Sequence, residues 1–291
     1  MPLGSTNVNL DELISLKKEV EIILDSEHVE FVSNFIPWTV SAFSSLPPSE
    51  STFTIREGIL EIYTLLPSFG EPLKPYLNDI ASVLIKILSE DFEANGLTAM
   101  HLFMEFHKVF RGAVEASVQP FIDLVLCLLE KFPEISTKLL KDDTQIDTRL
   151  IPSSQSVKIV IESPVMVVLL FQLHRKFINE NILKFVPFII KILEISIPAP
   201  EYLAEPKASD DLGTINGQIR NRARQNYCDF IQAKVKVLSF LAYVSRSFSS
   251  ALKPFQAAIP IFVIDILKNC PPESASARKV NIKLFENHLI S

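Results

Sequence analysis

A proline followed at once by a large apolar residue, and then by apolar side chains stepping by three and four, recurs along this chain. The phrase is read at Pro37-Trp38, Pro75-Tyr76, Pro120-Phe121, Pro187-Phe188 and Pro260-Ile261, with successive prolines 38, 45, 67 and 73 residues apart. The first two intervals match the ~40 to 47 residues of HEAT or armadillo units, and a loop insertion accounts for the excess in the last two. Proline suits the first turn of a helix, where its missing N–H costs nothing and its φ is already helical. Each phrase is therefore expected to open a helix.

The apolar stripes agree with that reading. Leu77, Ile80, Leu84 and Ile87 form one, and Phe121, Val125, Leu128 and Phe132 another. Upstream partners are Ile55, Ile59, Ile62 and Leu66, opened by a capping box at Thr54 and Glu57, and Ile231, Val235, Leu238 and Leu241. A helix apolar on one face cannot stand alone, and stacked αα-hairpins bury a continuous core that no single hairpin could. The expected fold class is all-α, an α-solenoid of HEAT-type antiparallel helix pairs, about five pairs plus a final helix near Ser274 to Leu289. A short β-branched run at Val157 to Ile161 is the one strand-like signal, and Ser163-Pro164 behind it reads as an N-cap and N1 pair.

The organisation follows. Residues 1–9, with Leu3-Gly4-Ser5, look like a cloning scar, and the abrupt end of a helical pattern at Asn287 to Ser291 suits a piece of a longer protein. Residues 10–133 hold helix pairs, 163–196 a further pair, and 227–291 a pair plus the final helix. Residues 134–162 and 197–226, rich in Ser, Asp, Thr, Pro and charge, read as loop insertions, the second partly helical at its end.

Composition narrows the function. A net charge of −6 argues against nucleic acid as a direct partner. The most apolar stretches, Pro164 to Leu173 and Phe185 to Ile197, are too short or broken by Lys191 and Glu194 to span a bilayer, so no membrane is expected. Cys127, Cys228 and Cys270 are odd in number and far apart, and no Asn-x-Ser/Thr sequon occurs, which favours a reducing compartment, cytosol or nucleus.

Catalytic chemistry finds little support. No phosphate loop, nucleophile elbow or HExxH motif is present, and seven glycines are too scattered to cradle a phosphate. His101 and His107 are six apart, which sets their rings on opposite sides of a helix rather than on one ligand face. Asp142-Asp143 and Asp210-Asp211 read as solvated surface, the cysteines as core filler, and Trp38 as core. No catalytic, cofactor-binding or metal-ligating residue is assigned, no cofactor is implied, and the chain is not expected to be an enzyme.

One charged feature invites a binding role. Arg220, Arg222 and Arg224 stand close together with Lys234 and Lys236 a few turns on, a basic ridge in an acidic chain. Acidic peptides suit such a ridge, with arginine supplying forked hydrogen bonds; a solvated helix face beside a loop explains the same residues.

The phrases Glu162 to His174, Phe185 to Ile190, Phe230 to Tyr243 and Asn269 to Glu273 resemble the N-terminal HEAT region of the transcription-associated pseudokinases, giant members of the phosphatidylinositol-3-kinase-related kinase family. Glu93 to Gly96 and Val118 to Asp123 are similar to the same region further upstream. The resemblance implies a nuclear, non-catalytic scaffold shared by SAGA-type histone acetyltransferase co-activator complexes. It also implies contact with the acidic activation domains of transcription factors and with other subunits of those complexes. The family's inactive kinase-like domain lies outside this stretch, and the resemblance assigns no binding residue. A segment of an importin-β-type transport receptor, also acidic and HEAT-built, is the alternative and would select basic cargo; pure architectural spacing is a third reading.

Overall fold

A computed structural model describes residues 9–141, 150–196 and 215–270. Among them the regular structure is helical: α1 Leu10–Glu21, α2 His28–Ser45, α3 Glu50–Tyr63, α4 Leu77–Glu90, α5 Glu93–Val109, α6 Val118–Lys141, α7 Val157–Leu173, α8 Ile178–Glu194, α9 Ile215–Ser247, the one-turn α10 Ser249–Leu252, and α11 Ala258–Asn269. The only β pairing among the described residues is an isolated bridge between Phe92 and Pro152. The all-α, HEAT-type solenoid class stands.

Two compact units divide the chain. The first comprises Met1–Leu124, Ile146–Ser156 and Leu169–Phe177, and the second Val125–Gln145, Val157–Val168 and Ile178–Ser291. In the first unit α1 packs on α3 and α3 on α5, while α2 packs on α4 and α4 on α5. Contact between every second helix is what stacked hairpins require, because each hairpin leaves an apolar face for the next. The stripes meet there: Ile59, Ile62, Leu66, Leu77, Ile80, Leu84, Ile87 and Phe121 are all buried, while Ile55 is half-buried. Burying each such side chain is worth about 1.5–3 kcal/mol. Gly58 permits the α1–α3 approach, since a Cβ there would lie 3.2 Å from Leu13 Cδ1. Gly70, at φ 65°, joins two 3-10 turns, Leu66–Phe69 and Glu71–Tyr76, in a conformation that favours glycine.

In the second unit α9 packs on α8, α10 and α11. Val125, Leu128, Phe132, Ile231, Val235, Leu238 and Leu241 are buried as the stripes demand, and Phe185 meets Phe240 at 5.3 Å between ring centroids.

Several local expectations are corrected. Pro75 leads directly into α4, and Pro120 and Pro260 sit in the first turns of α6 and α11. Pro37 and Pro187, however, lie in the middle of α2 and α8, as Pro164 does in α7. An interior proline costs roughly 3 kcal/mol or a kink. The apolar residues on both sides of it, Phe31, Val32, Phe35 and Ile36 before Pro37 and Ala42 and Phe43 after it, are buried and hold the helix together across the break. Ser163 is no N-cap, since its Oγ donates back to the Ile159 carbonyl at 2.6 Å inside α7. The strand-like run before it is helical because Val157, Ile159, Val160 and Ile161 are all buried, so neither helical nor strand periodicity shows. The cap of α3 is Ser49 with Thr52, five residues ahead of the expected Thr54 and Glu57.

The first loop insertion is also shorter than 134–162, because α6 continues to Lys141 and α7 starts at Val157. Residues 151–156 are tied to the α4–α5 junction: Glu93 N donates to Ile151 O, Ser153 N to Asp91 O, and Ser156 Oγ to the Glu93 carboxylate, all at 2.7 Å. Of the expected scar at 1–9, Asn9 is instead the N-cap of α1, its side chain accepting from Glu12 N; residues 1–8, the carboxylate pairs and the final helix near Ser274 to Leu289 lie outside the described residues.

Candidate functional site

The basic ridge maps to α9. Arg222, Arg224 and Lys236 are half-buried, and neither arginine is without a partner. Arg220 lies on the helix, but its side chain is outside the described residues. At 3.6 residues per turn, Arg222 and Arg224 project about 200° apart, whereas Arg222 and Lys236 share a face about 21 Å apart along the axis.

Lys234 does not belong to any surface ridge. It is 1% exposed and donates to Asp265 Oδ2 and to the Ile195 carbonyl, both at 2.8 Å, with Nζ 5.8 Å from the centre of the Phe230 ring. A buried ammonium must be paired, and its partners come from α11 and from the residue after α8.

A second polar cluster escaped the sequence reading. His107, on α5, is fully buried, and its Nδ1 stands 2.8 Å from His174 Nε2, its Nε2 3.1 Å from Ser117 Oγ. Ser117 Oγ donates to the Val114 carbonyl at 2.7 Å. That donation fixes the roles: Ser117 accepts from His107 Nε2–H, and His107 Nδ1 accepts from His174 Nε2–H. Burial, with His174 adding, pushes the His107 pKa down to about 3. His174 is also lowered, chiefly by burial; Glu115 works in the opposite sense, and Arg111 and Lys176 reinforce the lowering. Glu115 is held by Lys176 at 2.8 Å.

A serine, two histidines and a glutamate in line resemble a proton relay. Here, though, the hydroxyl proton belongs to a backbone carbonyl, and the serine is 8% exposed, so it is not presented to a substrate. The cluster instead ties the turn at 114–117 to the end of α7. His101 is exposed and apart from it, and Trp38 is half-buried against Phe35. Among the described residues no group of three or more His, Cys, Asp or Glu is placed to hold a metal. No sequence signal marked His174 as the partner of His107, because 67 residues separate them.

Residues 226–283, which begin on α9 beside the arginines and run through α11, match a family model described as the Tra1 HEAT repeat central region. The chain is also 25% identical to the human transformation/transcription domain-associated protein over 98% of its own length, and 25% identical to the zebrafish (Danio rerio) protein of that name over 91%. Over nearly its whole length the chain is thus similar to Tra1 proteins. Similarity extends to a Schizosaccharomyces pombe protein named SAGA complex/NuA4 acetyltransferase complex subunit Tra1, at 25% identity over 96% of the chain. The chain spans only 7–8% of the length of these Tra1-family relatives. The model matched by residues 226–283 is described as a central region, whereas the phrases resemble the N-terminal HEAT region.

Proposed function

We propose that the chain is a non-catalytic protein-interaction segment of a transcription co-activator subunit of SAGA- or NuA4-type acetyltransferase complexes, acting in the nucleus. The observation that carries this reading is that its Tra1 relatives include subunits named for those complexes, matched over nearly the whole chain. The stacked helices favour a binding role, since they offer long surfaces. The same relatives favour this reading over the transport receptor.

Acidic activation segments are the proposed ligands, contacting the α9 face of Arg222 and Lys236; Arg224 projects from the other side of the helix. Lys234 takes no part. Arginine forks and nearby aliphatic surface suit carboxylates interleaved with aromatic side chains, at modest affinity because the segment is ordered on binding. Fluorescence-anisotropy titration of the 291-residue chain with a labelled acidic-aromatic peptide, at two salt concentrations, tests the proposal. Saturable, salt-sensitive binding that falls about tenfold in Arg222→Glu/Lys236→Glu is expected. Affinity unchanged by that reversal removes the α9 assignment, and absence of binding leaves architectural spacing.

A further inference from the structure

The first unit carries an open groove, unrelated to the α9 face, where α1 ends and α2 begins. It has a volume of about 380 Å³, with Ile22, Ile23 and Phe31 forming an apolar floor and Glu19, Glu27 and Glu30 a carboxylate rim. The apolar surface continues beyond it: Ile22 is 79% exposed, Leu24 65% and Val29 64%. Three large aliphatic side chains are thus left open within eight residues at the groove and its flanks.

The electrostatics decide which partner. Between Lys18 and Arg56 the sequence holds no lysine or arginine, while Glu19, Glu21, Asp25, Glu27 and Glu30 crowd its first third. Among the described residues no lysine or arginine is within ion-pairing distance of the three rim carboxylates; Glu27 only accepts the Leu24 N–H at 3.3 Å. The C-terminal end of α1 opens onto the same place, with Ile22 as its C-cap and no basic residue there beyond Lys18 to offset the negative end of the helix dipole. An apolar floor inside an uncompensated negative field rejects acidic peptides, nucleic acid and anionic lipid alike. It suits a side chain with an aliphatic stem and a cationic head.

We propose that this groove docks a basic segment of a partner protein. The stem of one lysine or arginine lies on Ile22, Ile23 and Phe31, its cation sits between Glu19, Glu27 and Glu30, and a neighbouring aliphatic residue covers Leu24 and Val29. The proposal is independent of the activator reading, which concerns α9 and the opposite charge.

The test uses the whole chain and two labelled synthetic peptides of equal length, one alternating lysine with leucine, the other alternating glutamate with leucine. Binding of the lysine peptide is expected, weakening about tenfold in Glu19→Lys/Glu30→Lys and in Ile22→Ser, both at exposed positions whose helicity is checked by circular dichroism. Arg222→Glu/Lys236→Glu should leave it unchanged, which separates this site from the activator face. Hydrogen exchange at residues 19–31 should slow when the lysine peptide is added. Equal affinity for the glutamate peptide, indifference to the Glu19 and Glu30 reversals, or no protection of 19–31 would overturn the proposal. So would a concentration-dependent dimer abolished by Ile22→Ser, which would make the occupant a second copy. Residues 19–31 already protected in an N-terminally longer chain would make it a further repeat.

Discussion

Among the described residues each unit buries one lysine or arginine, Arg56 in the first and Lys234 in the second, and the two are held alike. In the first, Arg56 of α3 donates from Nε to Asp91 Oδ2 and from Nη1 to the Leu46 carbonyl at the end of α2, both at 2.6 Å, with its guanidinium 4.9 Å from the centre of the Phe43 ring. In the second, Lys234 of α9 reaches Asp265, the carbonyl just past α8, and the Phe230 ring. Both neutralise a carboxylate, cap the negative end of an earlier helix and rest on an aromatic face. They differ in burial: Asp91 is fully buried and also accepts from Phe92 N and Asn95 Nδ2, whereas the Asp265 side chain is 29% exposed. Removing one partner is costly where the other is stranded without water, so burial of the carboxylate, more than the contact itself, should set what each clamp is worth.

Arg56→Ala should therefore have the largest effect, about 3–5 kcal/mol of destabilisation. Urea denaturation followed by hydrogen exchange in α3 to α5 would measure it, and a loss under about 1 kcal/mol would dissolve the distinction between the clamps. Arg56→Lys should recover little, because one ammonium lacks the fixed fork that serves Asp91 and Leu46 together.

Acid should sharpen the contrast, because the buried histidines among the described residues belong to the first unit. His107 is held neutral, with its pKa lowered from 6.5 to about 3, so the unfolded chain binds more protons between those values. Stability is fully present above pH 6.5 and falls as the pH drops from there toward about 3, with a limiting slope near 1.4 kcal/mol per pH unit. At pH 5 the loss should reach about 2 kcal/mol. Hydrogen exchange at pH 7 and 5 should show it in α5 and not in α8, and His107→Gln should flatten the dependence.

Lys234→Met comes next, at roughly 1–3 kcal/mol, because Asp265 is open enough to rehydrate when its partner leaves. A loss equal to that of Arg56→Ala would show that pairing matters more than burial. Smallest should be Lys17→Ala, which breaks the 3.0 Å pair with the 53% exposed Glu61 and should cost under about 1 kcal/mol by thermal denaturation.

Much of this fold is written locally. The stripes at Leu77 to Ile87 and Phe121 to Phe132 need only a period of 3.6, which neighbouring residues carry among themselves, and they are buried as expected. Lys236 falls in the helix pair expected from 227 onward, whereas Arg222 and Arg224 fall in the stretch read as a loop insertion and lie on α9 because that helix already begins at Ile215. What spacing does not reveal is which face another helix covers. Lys234 reads as one more basic residue of a surface helix, and only the packing of α9 against α8 and α11 shows it to be an internal clamp. His107 acquires its role from His174, 67 residues away, and Arg56 from Asp91, 35 residues away. The interior prolines teach the same lesson, since Pro37 is a good helix opener by its own preference and became a mid-helix residue through the packing around it. Helical periodicity is a property of adjacent turns and survives in the sequence. The environment of a charge depends on which distant helices stack against it, and that is settled only when the hairpins assemble.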